Sequence, residues 1–168
     1  MKSVLLLAFV SLLLVKTQSV DLRGRWLEND KLRVGLKEFL TVMGLPLNRR
    51  NIAINTDWQN KQTIYQTDRI LKMVDYRGPL ATQLITKFVA DGSTETSSDL
   101  GELGGVRSMI SEFKGNSLIA YLKTSAGVVD ISATRTVDPK NLNLMIFTLK
   151  HLPSGIEYIS YFDRISKN

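Results

Sequence analysis

Residues 30–59, DKLRVGLKEFLTVMGLPLNRRNIAINTDWQ, contain the change of period that decides the fold. From Asp30 to Ala53 the pattern predicts helix, with Leu32, Leu36, Phe39, Leu40 and Met43 recurring at spacings of three and four on one face. Asp30 is placed to cap it, Gly44 to end it, and Pro46 to open a second short helix over Leu47 to Ala53. After Ala53 the period drops to two: Ile54, Thr56 and Trp58 share one face, Asn55, Asp57 and Gln59 the other. A helix-turn-helix thus precedes a chain of strands. Arg49 and Arg50 open the second helix, yet one such unit followed by strands does not make a DNA reader, and no nucleic acid is expected as partner.

Downstream, strands are expected at Thr63 to Gln66, Gln83 to Val89, Val106 to Phe113, Ser117 to Lys123, Val128 to Val137, Leu142 to Lys150 and Ile156 to Ile165. Short turns such as Lys114-Gly115-Asn116, Ser125-Ala126-Gly127 and Asp138-Pro139-Lys140-Asn141 separate them. Turns this short join antiparallel neighbours, so the strands form a meander, and closure into a barrel removes its exposed edges. Asp91 to Gly105, polar and without period, reads as a long loop.

Upstream, Lys2 precedes an apolar run from Val4 to Val15 that is too short to span a bilayer and is placed where a secretory leader lies. Residues 1–19 are expected to be a signal peptide cleaved before Val20, leaving 20–168 as one secreted domain. Cleavage removes Lys2 and Lys16 and lowers the formal charge from +6 to +4. The chain has no cysteine and one histidine, His151. Disulfides, thiolate chemistry and multi-histidine metal sites are thereby excluded, and hydrolysis by a Ser-His-Asp triad has no anchor in a turn histidine. Gly101-Glu102-Leu103-Gly104-Gly105 lacks the lysine and spacing of a phosphate loop. The chain is read as a non-enzyme with no catalytic residue, no metal and no cofactor.

The strand from Asp130 to Val137 carries the most chemistry. Ile131, Ala133, Arg135 and Val137 share its apolar face, which puts a guanidinium toward the barrel interior, where its fork suits a carboxylate. The competing reading leaves Arg135 at a strand end, meeting solvent or an internal Asp or Glu. On the last strand Ile156, Tyr158, Ser160 and Phe162 share a face, so Tyr158 and Ser160 can offer hydroxyls beside Arg135 or serve as ordinary core residues. A few convergent polar groups among apolar walls suit a small amphipathic ligand. Arg49, Arg50 and Lys37 form a basic face that either touches anionic lipid transiently or only aids solubility.

Val20-Asp21-Leu22-Arg23-Gly24-Arg25-Trp26, followed by Lys37 to Ala53 with its Arg50-Asn51-Ile52-Ala53 ending, resembles the opening of the intracellular lipid-binding proteins, the fatty-acid-binding protein family. Val106 to Ile110, Leu118 to Lys123 and Tyr161-Phe162-Asp163-Arg164 resemble its later strands, so the likeness covers nearly all of residues 20–168. It implies an all-β, ten-stranded antiparallel up-and-down barrel with a helix-turn-helix lid over a portal. It also implies a long-chain fatty acid, retinoid or similar hydrophobic ligand inside, carried by a monomer. Arg135, Tyr158, Ser160, Phe162, Ile131, Ala133 and Trp58 are the expected ligand-binding residues, and Leu36, Phe39, Leu40, Leu47 and Arg50 the expected portal. Arg135 matches the family's arginine on the eighth strand. The family's Arg-x-Tyr pair on the last strand is absent, its place being taken by Ser160-Tyr161-Phe162. The alternatives are a lipocalin-like carrier of another ligand and an extracellular module that uses the barrel exterior to bind protein.

Overall fold

The computed structural model describes residues 19–55, 59–77, 82–100 and 105–167. Ten strands and two helices follow in order: β1 (Gly24–Val34), α1 (Leu36–Val42), α2 (Leu47–Asn55), β2 (Lys61–Thr67), β3 (Ile70–Arg77), β4 (Thr82–Val89), β5 (Asp91–Asp99), β6 (Val106–Lys114), β7 (Ser117–Lys123), β8 (Val129–Asp138), β9 (Asn141–His151) and β10 (Glu157–Ser166). All pairings are antiparallel, in the order β4-β3-β2-β1-β10-β9-β8-β7-β6-β5. Among the described residues each strand pairs with its sequence neighbours, except that β1 closes onto β10 and β4 and β5 share no ladder. This is the expected nearly closed barrel with a two-helix lid. Ten strands with helices between the first two differ from the eight-stranded lipocalin barrel, which sets that alternative aside.

Several boundaries correct the sequence reading. The helix expected from Asp30 begins at Leu36, because β1 runs on to Val34, which pairs with Ile159 of β10. Leu32 and Val34 therefore lie on a strand and are exposed, and the spacing from Leu32 to Leu36 is not a helical face. The cap is Gly35, not Asp30: its φ of 74° is left-handed, and a Cβ there would stand 2.1 Å from the Glu157 carbonyl oxygen. Gly44 ends α1 as expected, with Gly44 N–H donating to Thr41 O and Leu45 N–H to Leu40 O.

The strand expected over Ile54 to Gln59 is also corrected. Ile54 and Asn55 complete α2, Gln59 is irregular, and pairing starts at Lys61; residues 56–58 lie outside the described part. The expected loop at Asp91 to Gly105 contains β5 over its first nine residues. Almost every β5 side chain is exposed or half-buried, so no apolar alternation marks it, and its place comes from the ladder to β6. β3 escaped the sequence reading too, although Leu71 and Met73 face the core.

Alternation fills the barrel. Trp26, Ile64, Leu71, Phe88, Met109, Leu118, Leu122, Ile131, Val137, Met145 and Phe162 form one buried cluster. The segment from Ser19 to Arg23 closes the end opposite the helices. Leu22 is fully buried; its N–H donates to Gln66 Oε1 (3.0 Å), and its carbonyl accepts from Trp26 Nε1 (2.9 Å). Gln66 Nε2 donates to Val20 O, and the Arg164 guanidinium stacks 4.3 Å from the Trp26 ring. At the other end, Phe39 and Leu40 are the buried residues of α1, and Phe39 packs on Tyr158 with ring centroids 6.3 Å apart.

Candidate functional site

Strand pairing places the inward side chains of β6 to β10 in rows. One row runs Phe113, Leu118, Arg135, Phe147, Ser160, and the next toward the helices runs Ser111, Ala120, Ala133, Leu149, Tyr158. Arg135 is thus on the inward face of β8, between Ala133 and Val137, and is only 6% exposed. Its burial sets aside the reading in which it meets solvent, but not the one in which it meets an internal acid, since Asp75 is buried at the same level.

Burial of a guanidinium is tolerable only with partners. Arg135 Nε donates to Gln62 Oε1 on β2 (3.4 Å), and its guanidinium carbon lies 4.4 Å from the centroid of the Phe147 ring on β9. Asp75 stands beside Gln62 in the β2–β3 register and is buried as well. A cationic fork, an amide and a carboxylate therefore occupy one level of the interior. Ile131, Ala133, Phe162 and Ser160 all face that interior and are buried, as expected. The Ser160 hydroxyl is buried beside the Tyr158 phenol. Trp58, also expected there, lies outside the described residues.

One level nearer the helices is a group that the sequence did not reveal. Glu28 on β1 is fully buried and accepts from five donors. Arg33 Nε and Nη2 bind it in a fork (3.0 and 2.8 Å), Asn60 gives its backbone N–H and Nδ2 (3.0 and 2.7 Å), and the Tyr158 hydroxyl donates to Oε1 (2.8 Å). Burial, and then the Glu28 charge, push Tyr158 ionisation well above the ordinary tyrosine range. Burial works against the Arg33 charge, but the hydrogen bonds and charge of Glu28 outweigh it and raise its pKa. The network ties β1, β10 and the approach to β2 together directly beneath α1. The only local signal was the alternation Gly24, Trp26, Glu28, which puts a carboxylate on the face of a core tryptophan.

The expected portal residues divide. Phe39 and Leu40 face inward, Leu36 is half-buried, and Leu47 is exposed on α2, a helix with no buried residue. Arg50 Nη1 donates to Thr41 Oγ1 (2.5 Å), linking α2 to α1. A cleft of about 460 Å³ lies outside the closed end, between Val20, Asn116, Leu142 and Arg164. Neither Arg135 nor Tyr158 lines it, so it is separate from the interior polar level.

No protein-family model matches the sequence, and no curated protein matches it. Solved structures do. A fatty acid transporter designated REP1-NXSQ superposes with a TM-score of 0.69 at 17% identity, over 88% of this chain and 98% of the other. Human cRBP IV gives 0.69 at 16% identity, over 86% and 98%. A zebrafish ileal bile acid-binding protein complexed with cholic acid gives 0.64 at 16% identity, over 85% and 98%. At this identity the likeness is one of architecture, and the chain has the fold that these three proteins share.

Proposed function

We propose that the protein is a secreted, non-enzymatic carrier, a member of the fatty-acid-binding protein family. It would hold a long-chain fatty acid or similar hydrophobic ligand inside the barrel and admit it beneath α1 and α2. The observation that carries this reading is Arg135, a buried cation on the inward face of β8 with Gln62 and Phe147 around it. The solved structures that share the fold add support, since a fatty acid transporter and a bile acid-binding protein stand among them.

Tail burial supplies most of the affinity in this reading. At about 0.8 kcal/mol per methylene, ten buried methylenes give roughly 8 kcal/mol, several times what one charge-assisted hydrogen bond adds. Arg135 then orients the ligand more than it holds it. Exposed Leu47 and Ile52 beside Lys37 and Arg49 give the helices an apolar and basic face suited to brief contact with anionic membrane during transfer. No second copy is needed to complete the interior, and the carrier is proposed as a monomer.

Delipidated protein spanning residues 20–168 should bind a fluorescent long-chain fatty acid in an equilibrium titration. Arg135→Ala should weaken that binding about tenfold, the scale of one lost charge-assisted bond. Absence of binding by the wild type refutes the carrier reading. An Arg135→Ala effect no larger than that of the exposed Lys31→Ala control refutes the role of Arg135. Expression in a eukaryotic secretory host with N-terminal sequencing of the medium fraction should give Val20 as the first residue, and retention of the intact leader on cell-associated protein refutes secretion.

A further inference from the structure

The interior wall made by β6, β7 and β8 changes bulk from row to row. Nearest the helices the row is Met109, Leu122, Ile131; at the lower level it is Phe113, Leu118, Arg135. Between them lies Ser111, Ala120, Ala133, three small residues on three adjacent strands, each buried. The wall therefore has a recess roughly 10 Å wide, two strand spacings, framed above and below by large side chains.

The floor of this recess is polar at one point. Ser111 is 1% exposed, faces inward between Met109 and Phe113, and its hydroxyl has no hydrogen-bond partner among the described residues. A buried hydroxyl with nothing to bond is unfavourable, and an alanine there would continue the Ala120–Ala133 surface without that penalty. Ser160, four strands away and one row lower, is fully buried beside the Tyr158 phenol, which donates to Glu28 and keeps its oxygen as an acceptor for the serine. A straight saturated chain could not satisfy Ser111.

We infer that the ligand carries an oxygen function, a hydroxyl or keto group, on its apolar body, and that this group seats in the Ser111–Ala120–Ala133 recess while the acid head lies at Arg135. The inference rests on the carrier reading and narrows its ligand class to oxygenated long-chain acids. One row along the strands and two strands across put Ser111 on the order of 7–12 Å from Arg135, which places the oxygen near the middle of such a chain. The small row makes room for the branch, and Ser111 supplies both a donor and an acceptor to it.

The test measures two ligands on the delipidated protein, stearic acid and stearic acid bearing a mid-chain hydroxyl. Wild type should prefer the hydroxylated acid about five- to tenfold, the scale of one hydrogen bond made in a dry site. In Ser111→Ala the ratio should fall to about one. In Ala120→Leu, which fills the recess, the hydroxylated acid should lose more affinity than the plain one, with thermal unfolding recorded for both variants to confirm a folded barrel. A wild-type ratio near one, or a preference that survives Ser111→Ala unchanged, overturns the inference while leaving the carrier intact. Binding of neither acid overturns both, and so separates the two failures.

Discussion

Glu28→Gln is the sharpest test of how this barrel is held beneath its lid. The substitution keeps shape and removes the charge. Oε2 accepts three donors, Arg33 Nη2 and the two nitrogens of Asn60, whereas Oε1 accepts only Arg33 Nε and the Tyr158 hydroxyl. The new amide would therefore turn its NH₂ toward the Oε1 position, where the Tyr158 hydroxyl can rotate to accept. Arg33 Nε would then face a donor, and the guanidinium, whose side chain is 11% exposed, would lose the charge of Glu28 while keeping that of Asp30. Breaking a buried pair by removing one partner costs about 3–5 kcal/mol, and the preserved contacts put this variant near the lower figure. For a domain of this size each kcal/mol moves the midpoint by about 2–4 °C, so a fall of roughly 6–12 °C is expected in thermal unfolding followed by circular dichroism. Replacing both partners together, Glu28→Met with Arg33→Met, should recover much of that loss, because the buried carboxylate and the guanidinium that answers it leave together. If Glu28→Gln melts within about 2 °C of wild type, the network is not a structural tie and the reasoning fails.

Tyr158 adds a pH dependence. Its folded pKa is raised, so above pH ~10 the unfolded chain loses the phenolic proton first and stability falls as pH rises through that window. Urea denaturation at pH 8 and pH 11 should show a steeper loss for wild type than for Tyr158→Phe, and equal slopes would contradict the assigned burial. Gly35→Ala would force a Cβ to 2.1 Å from the Glu157 carbonyl at a left-handed φ of 74°; it should destabilise by about 3 kcal/mol or give insoluble protein, and a wild-type melting curve would show that the β1–α1 junction is misplaced. Leu22→Ala empties the plug of the closed end and should cost about 2–5 kcal/mol in the same denaturation experiment, against a negligible change if the segment from Ser19 to Arg23 does not pack there.

Much of the barrel was legible because its signals are local. On β8, Ile131, Ala133, Arg135 and Val137 alternate with half-buried neighbours as their sequence order requires, and Tyr158, Ser160 and Phe162 do the same on β10. The misread elements are those where the local signal is absent or ambiguous. β5 is polar on both faces and is a strand only because β6 supplies its ladder, and Leu32 imitates a helical position while pairing holds β1 extended to Val34. Pairing between distant segments overrode periodicity in both cases.

Side-chain alternation thus determined, from the sequence alone, an antiparallel meander with a helical pair ahead of it, and it turned Arg135 inward. The tertiary structure alone decided what surrounds that arginine and what the lid rests on. Gln62 meets Arg135 across 73 positions of sequence, and Tyr158 meets Glu28 across 130. The Ser111–Ala120–Ala133 recess exists only in the register of three strands. Period gives each side chain a face, but the neighbour it finds there depends on closure of β1 onto β10 and on the stagger of every ladder between them, which no local pattern encodes.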